Sequence, residues 1–136
     1  MTVNAVSPPL PAIVIRAADE ERLAALATSL LDSKPDLAEE LLAELARARS
    51  AEDAALPPDT VQMGTTLTYE ADGRRRRVTL VYPTEADIDA GRISILTPIG
   101  AALLGLAEGQ SIEWTARDGR RHRLTVVEVE RGAPPA

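Results

Sequence analysis

Residues 91–105, which read GRISILTPIGAALLG, decide the fold of the C-terminal half of the chain. In the first part of this stretch, isoleucines alternate with polar residues, as they do in a half-buried strand. Thr97 followed by Pro98 is typical of a helix start, because proline fits the first helical position. The apolar run after Pro98 ends at Gly105, a residue type favoured just beyond helix C-termini. The stretch predicts a strand that leads directly into a short, buried helix.

Alternating apolar residues on both sides of this stretch predict further strands. Leu67, Tyr69 and Ala71 are followed by the turn pair Asp72–Gly73 and by a returning strand. A second such pair, Asp118–Gly119, separates strands near residues 112–116 and 124–129. The fold class is α+β, with an antiparallel sheet and one short helix. The predicted core of this half is Leu67, Val78, Leu80, Ile93, Ile95, Leu103, Leu104, Ile112, Trp114, Leu124 and Val126.

The N-terminal half has the leucine spacing of two amphipathic helices. One pattern covers residues 19–31 and the other residues 36–49, with the helix-breaking segment DSKP at 32–35 between them. They predict a short antiparallel helical hairpin, a coiled coil whose arms are each about 20 Å long at ~1.5 Å per residue. Asp36 with Glu39 resembles a capping box, so Asp36 is predicted to cap the second helix. Residues 13–15, IVI, are interpreted as either a short strand or a hydrophobic staple.

The prolines Pro57 and Pro58 mark a predicted boundary between two domains, residues 1–56 and 57–136. Residues 1–56 hold ten acidic and five basic residues, so most of the net charge of −6 lies on the helical half. We expect a deletion through about residue 56 to leave a folded C-terminal domain.

Composition excludes several classes of function. The chain has 136 residues, no cysteine, one histidine and 2% aromatic residues, which leaves no thiolate or multi-histidine metal site. We expect no cofactor, no metal and no catalytic constellation. The acidic charge argues against strong nucleic-acid binding. The N-terminal residues resemble neither an export signal nor a membrane span, so we expect a cytoplasmic, monomeric protein without membrane contact.

Three groups of polar residues are candidates for function. Asp32, Lys34 and Asp36 lie at the predicted hairpin tip, where the carboxylates either hold Mg²⁺ for a partner or simply end and cap helices, which we favour. The run at 74–77 is four arginines, and a second basic set surrounds the later turn: Arg117, Arg120, Arg121 and Arg123. These bases either meet an acidic partner or RNA, or protect strand edges, which we favour. His122 is predicted on the surface, and Trp114 in the core with a bonded indole N–H.

The segment from Gly91 to Gly105, followed by EGQ at 108–110, resembles the C-terminal domain of bacterial Gre transcript-cleavage factors. VQMGTTLTY at 61–69 is similar to the first strand of that domain, so the resemblance covers roughly residues 57–130. The stretches TLVYP at 79–83 and AALLGL at 101–106, with the short helix pair, extend it to the Gre-like regulators of nucleoside diphosphate kinase. Thr97 stands where Gre factors usually carry serine.

This resemblance implies an FKBP-like C-terminal domain and binding to RNA polymerase near its secondary channel, through Thr97, Pro98 and Ile99. Because the helical arms are short, we expect the tip acids to stop in the channel mouth, so that the protein competes with Gre factors without catalysis. Any effect on nucleoside diphosphate kinase is then indirect. The alternatives are a true cleavage factor that uses Asp32 and Asp36, and a prolyl isomerase, which needs an aromatic pocket that we expect to be missing.

Overall fold

The N-terminal half forms two helices flanked by two short strands. The computed structural model describes residues 13–115 and 118–130. Its first four elements are β1 (Ile13–Arg16), α1 (Ala17–Leu30), α2 (Pro35–Arg47) and β2 (Ala48–Ala51). The four-residue segment at 31–34 folds α2 back against α1, which confirms the pair of packed helices. The strand alternative for residues 13–15 is also confirmed.

The second helix begins one residue earlier than the sequence pattern predicted. Lys34 occupies the N-cap position and Pro35 the first turn, and no side chain caps the helix. The prediction that Asp36 is the cap is therefore wrong. Proline favours the first helical position because its φ is already helical and it has no N–H to leave unpaired. Asp36 lies in the first turn, where its charge complements the helix dipole.

The same helix ends at Arg47, before the predicted end at residue 49. Ala48 to Ala51 form β2, which pairs in parallel with β1 in register from Ile13↔Ala48 to Arg16↔Ala51. A parallel partner that is distant in sequence leaves no local signal, so helical periodicity alone extended the helix too far. A two-stranded sheet therefore joins the segment that enters the helical hairpin to the segment that leaves it.

The C-terminal half is a five-stranded sheet with one helix packed on it. Its elements are β3 (Thr66–Ala71), β4 (Arg74–Val81), β5 (Arg92–Ser94), α3 (Pro98–Leu103), β6 (Ser111–Thr115) and β7 (Arg121–Val129). The strand order is β5-β4-β3-β7-β6. Three pairings are antiparallel, but β4 and β5 run parallel, so the wholly antiparallel sheet predicted from the sequence is corrected to a mixed one. The chain crosses between those two strands through single-turn 3₁₀ helices at Pro83–Glu85 and Ile88–Ala90.

The helix α3 begins and ends as the sequence indicates. The hydroxyl oxygen of Thr97 accepts a hydrogen bond from the Gly100 N–H at 3.1 Å, and Pro98 follows at the first position. Beyond the last turn, Gly105 adopts a φ of +80°, which side-chain-bearing residues rarely reach.

Nine of the eleven predicted core residues are buried, whereas Ile93 and Trp114 are only partly buried. The sequence patterns missed further members of the same cluster, which are Ile13, Ile15, Val61, Met63 and Leu106. Buried leucines of α1 and α2 belong to this cluster as well. One continuous core therefore joins the two halves, and the division at Pro57–Pro58 stays a prediction.

Candidate functional site: a turn, a cleft and a fixed helical hairpin

Thr97, Pro98 and Ile99, which we call the docking turn, lie between β5 and α3. All three are partly exposed. The Thr97 hydroxyl donates to the Ser94 carbonyl at 2.8 Å while accepting from Gly100, which holds the turn in one shape. Gly100 is required behind it, because a Cβ there would lie 2.2 Å from the Ser94 carbonyl oxygen. The turn is thus a rigid element with side chains available at the surface.

Ile99 of this turn also lines a cleft of about 460 Å³ on the face of the sheet that α3 covers. Other lining residues are Tyr69, Arg74, Arg76, Trp114 and His122. Tyr69 is largely buried, and burial raises the pKa of its phenol. The cleft therefore combines an apolar, aromatic wall with positive charge.

Trp114 and His122 form a stacked pair on the neighbouring strands β6 and β7. Their rings stack with centroids 5.0 Å apart, and His122 Nδ1 lies 3.3 Å from an Asp72 carboxylate oxygen. The indole N–H of Trp114 is buried and has no hydrogen-bond partner in the described part of the chain. The prediction that the Trp114 N–H is bonded is therefore wrong, whereas its ring packs against the core as predicted. His122 lies on strand β7 and is partly exposed, so the prediction of a strand histidine at the surface is not contradicted. Alternation put Trp114 on the apolar face of its strand, but it could not show which groups lie near the indole N–H, because those come from distant segments.

The four arginines at the start of β4 separate into two pairs by direction. Arg75 lies 3.5 Å from Glu70, and Arg77 bonds both carboxylate oxygens of Glu130, one at 2.8 Å. This pairing lowers the pKa of Glu130. Arg74 and Arg76 line the cleft instead. In the second basic set, Arg121 and Arg123 lie on β7, an interior strand of the sheet. Both pair with β6 alone, because the pairing of β7 with β3 starts at Leu124, so this end of β7 has an open edge among the described residues. Arg117 lies outside the described residues.

A buried glutamine connects β1 to the C-terminal half. Gln62 Oε1 accepts from the Arg16 N–H at 2.9 Å, and its Nε2 donates to the Val14 carbonyl at 2.8 Å. The Val14 N–H in turn donates to the Gly105 carbonyl at 3.3 Å. Sequence reasoning missed Gln62, because a polar residue among others carries no signal that it is buried.

A second connection joins α1 to the end of β4. The Tyr82 hydroxyl donates to Asp19 at 2.8 Å, and the Arg22 guanidinium carbon lies 3.9 Å from the centroid of the same ring. Burial, with the hydrogen bond to Asp19, raises the pKa of Tyr82 well above its usual range. Arg16 completes the group with an ion pair to Asp19 at 3.0 Å. The base of the helical hairpin is therefore held by directional polar contacts as well as by the core.

The hairpin tip is built differently. Asp32, Lys34 and Asp36 are all exposed, and no hydrogen bond or ion pair of their side chains occurs within the described ranges. No group of three or more histidine, cysteine or acidic side chains in those ranges could hold a metal ion. Of the predicted site residues, the three of the docking turn therefore lie together between β5 and α3. The tip acids lie apart from them, where α1 ends and α2 begins.

Comparison with known families assigns both halves of this architecture. Residues 11–50 match the family model described as the Rnk N-terminus, and residues 56–131 match the C-terminal domain of transcription elongation factors GreA and GreB. The regulator of nucleoside diphosphate kinase from Escherichia coli is 36% identical over 122 residues, which cover 88% of this chain and 90% of that protein. The chain belongs to this Gre-like regulator family.

Other relatives carry the Gre name. GreA from Nitrobacter hamburgensis is 38% identical over 92 residues, covering 65% of this chain and 58% of that protein. A solved structure of a GreA/GreB elongation factor from Nitrosomonas europaea has a TM-score of 0.70 and 39% identity, covering 86% of this chain and 98% of that one. The family resemblance predicted from the sequence is confirmed, and the fold is Gre-like. The protein is a Gre-like regulator related to transcription.

Within residues 13–115 and 118–130, no helix is long and apolar enough to cross a bilayer.

Proposed function

We propose that this protein is a non-catalytic transcription regulator that binds bacterial RNA polymerase near the secondary channel. It competes there with longer Gre-type factors and affects nucleoside diphosphate kinase indirectly. The single observation that carries this proposal is the helical hairpin, which is short and fixed at its base. α1 and α2 have 14 and 13 residues, so each is about 20 Å long at ~1.5 Å per residue.

The contacts at the base of the hairpin fix its direction, so the length of its helices sets how far the tip reaches. Gln62 and Tyr82 fix where β1 and α1 leave the C-terminal half, so the hairpin cannot lengthen its reach by pivoting freely. If the domain binds through its docking turn, the length of α1 and α2 limits how far the tip acids extend from the domain. A carboxylate held away from a metal ion contributes nothing to its coordination, because oxygen ligands bind at ~2.0–2.6 Å.

The docking turn supplies the proposed contact with polymerase. Pro98 and Ile99 present partly exposed apolar surface on a backbone that Thr97 holds in place. A preorganised turn loses little entropy on binding, which favours its use as an interface.

The first experiment measures binding of the full chain to bacterial RNA polymerase by size-exclusion chromatography at micromolar concentration. We expect co-elution, and we expect added GreA to displace the protein. The double variant Pro98→Asp with Ile99→Asp should lose binding while circular dichroism shows a folded protein. Ile88→Asp is the matched control, because Ile88 is 86% exposed and lies outside the docking turn. If the wild type does not co-elute, or if both variants bind equally, the proposal fails.

A second assay separates this function from transcript cleavage. Backtracked elongation complexes should release no short 3′ RNA when the protein is added, whereas a GreA control releases it. Release that is lost in Asp32→Asn with Asp36→Asn would establish the cleavage alternative instead.

The prolyl isomerase alternative has gained one feature from the structure, since Tyr69 and Trp114 line a cleft in addition to packing in or against the core. We still expect no acceleration in a protease-coupled proline-peptide assay. The charges of Arg74 and Arg76, which line this cleft, favour an anionic occupant over a neutral proline ring.

A further inference from the structure

The cleft contains positive charge that has no counterion among residues 13–115 and 118–130. Successive strand residues point to opposite sides, so the four arginines divide into an outward pair, Arg75 and Arg77, and a cleft pair, Arg74 and Arg76. The outward pair is neutralised by Glu70 and Glu130. The cleft pair has no ion pair within the described part of the chain. Arg74 and Arg76 are both exposed, and their Cα atoms are about 7 Å apart at ~3.3 Å per residue. An anion bound between them would offset the repulsion of their like charges.

The opposite wall of the cleft is aromatic. The stacked rings of Trp114 and His122 line it, while Tyr69 on β3 is the cross-strand partner of Arg76 and lies between the two walls. The Trp114 N–H is a buried donor without a partner in the described residues, and such donors are rare in folded proteins. Asp72 also lines the cleft, and its carboxylate lies 3.3 Å from His122 Nδ1.

The volume of the cleft limits the size of the ligand that it can hold. Its volume of about 460 Å³ lies within the ~300–1,000 Å³ typical of sites for small ligands and cofactors. Arginine is the side chain best suited to phosphate oxygens, because its planar fork donates two parallel hydrogen bonds. Planar rings stack on aromatic side chains and on guanidinium planes. A ligand that satisfies both walls therefore has a phosphate at one end and a flat ring at the other.

We propose that the cleft between β4 and the Trp114–His122 wall binds a small organic phosphate with a planar ring, which is the chemistry of a nucleoside phosphate. The phosphate lies between Arg74 and Arg76, and the ring lies against the aromatic wall.

The chain offers a direct reporter for this site, because Trp114 is its only tryptophan. A ¹⁵N-labelled sample gives one indole N–H resonance, and the titrants are GDP and inorganic pyrophosphate. We expect GDP to shift this resonance saturably and to bind more tightly than pyrophosphate. Pyrophosphate binding as tightly as GDP would overturn the role of the ring. No saturable shift with either compound at millimolar concentration would overturn the site.

Two double variants on the same strand separate specific binding from general attraction. Arg74→Ala with Arg76→Ala should weaken GDP binding about tenfold or more, since each lost charged hydrogen bond is worth about that factor. Arg75→Ala with Arg77→Ala removes the same charge from the outward side and should change affinity about twofold at most. Equal weakening by both variants would overturn the proposal. A glutamate-rich peptide that displaces GDP at lower concentration would also overturn it, because the cleft would then be a protein-docking groove.

A consequence for regulation rests on the proposed function. Ile99 belongs to both the docking turn and the cleft, so a bound nucleoside phosphate is expected to weaken co-elution with RNA polymerase. The resonance titration contains no polymerase, so failure of binding to polymerase and failure of the ligand site are measured separately.

Discussion

The base and the tip of the helical hairpin contrast sharply in how they are held. At the base, Ile13 and Ile15 are fully buried, Gln62 bonds the backbone of β1, and Tyr82 bonds Asp19. At the tip, Asp32 and Lys34 are exposed, and their side chains make no hydrogen bond or ion pair within the described residues. Stability and direction therefore come from the base.

This difference indicates which property of the hairpin the fold maintains. A tip that performs metal chemistry requires side chains fixed by their neighbours, because a ligand set tolerates little displacement. The fixed part of this hairpin is its exit from the sheet instead. The contrast supports a hairpin that occupies space in a defined direction, and four substitutions test it.

The largest effect is expected at Gly105, at the base. Gly105→Ala places a Cβ 2.7 Å from the Ile13 Cβ and 3.2 Å from the Val14 carbonyl oxygen, at a φ of +80°. Left-handed strain of about 1–2 kcal/mol adds to overpacking of about 1–3 kcal/mol, so the free energy of unfolding should fall by about 3–4 kcal/mol in urea titrations. Gly109→Ala is the control, with a φ of +90° and nothing within 4 Å. Equal losses in the two variants would show that packing against β1 contributes nothing.

A smaller loss is expected from Gln62→Ala. The substitution leaves the Arg16 N–H and the Val14 carbonyl without their side-chain partner, at about 1–3 kcal/mol for a buried unpaired group. We expect the free energy of unfolding to fall by about 2–3 kcal/mol. Gln110→Ala, which removes a single bond from the Ala107 N–H, should cost about 1 kcal/mol. If Gln110→Ala is the more damaging variant, Gln62 does not connect the two halves as described.

Tyr82→Phe removes the bond to Asp19 and should cost about 1–2 kcal/mol at neutral pH. The raised pKa of Tyr82 means that the folded state favours the protonated phenol. This stabilisation is complete below about pH 10, the usual phenol value, and is lost as pH rises toward the higher pKa of the folded state. Unfolding measured from pH 8 to 11.5 should therefore show a steeper alkaline loss in wild type than in Tyr82→Phe. Parallel curves would contradict this role for the hydroxyl.

The smallest effect is expected at the tip. Asp32→Asn with Asp36→Asn should lower the free energy of unfolding by less than about 1 kcal/mol, the contribution of a charge near a helix N-terminus. Binding to RNA polymerase should be unchanged in the co-elution assay. A loss larger than that of Tyr82→Phe, or loss of polymerase binding, would reverse the contrast between tip and base.

Local chemistry made much of the fold predictable. The start of α3 follows from the conformational preferences of Thr97 and Pro98, and its end from that of Gly105. The turn between β3 and β4 follows in the same way from Asp72–Gly73. Pairings that are distant in sequence were not predictable in this way. The parallel partners of β2 and β5 leave no trace in the periodicity of their own segments, so residue 48 was assigned to a helix and the sheet to a wholly antiparallel class.

The candidate site shows the same limit. The docking turn was found because helix-start chemistry and the Gre-like motif coincide at Thr97–Ile99, and whether it binds polymerase stays a prediction. Gln62 was not found, because burial of a polar side chain depends on which strand lies over it. Alternation indicated that Arg74 and Arg76 share a side of the strand. That neither has a counterion among the described residues depends on where Glu70 and Glu130 lie.

The sequence by itself determined the family, the two helices, the capped helix α3 and the two glycine turns of the sheet, because each of these is encoded within a few neighbouring residues. Only the tertiary structure decided that β1 pairs with β2 and is bonded by Gln62, and that Trp114 and His122 line an open cleft. It also decided that two of four consecutive arginines have no counterion in the part of the chain that the structure describes. Those features depend on contacts between segments that chain connectivity keeps far apart. The free energy of each such contact depends on residues from several distant segments packing together, so the local preferences of one segment do not predict it.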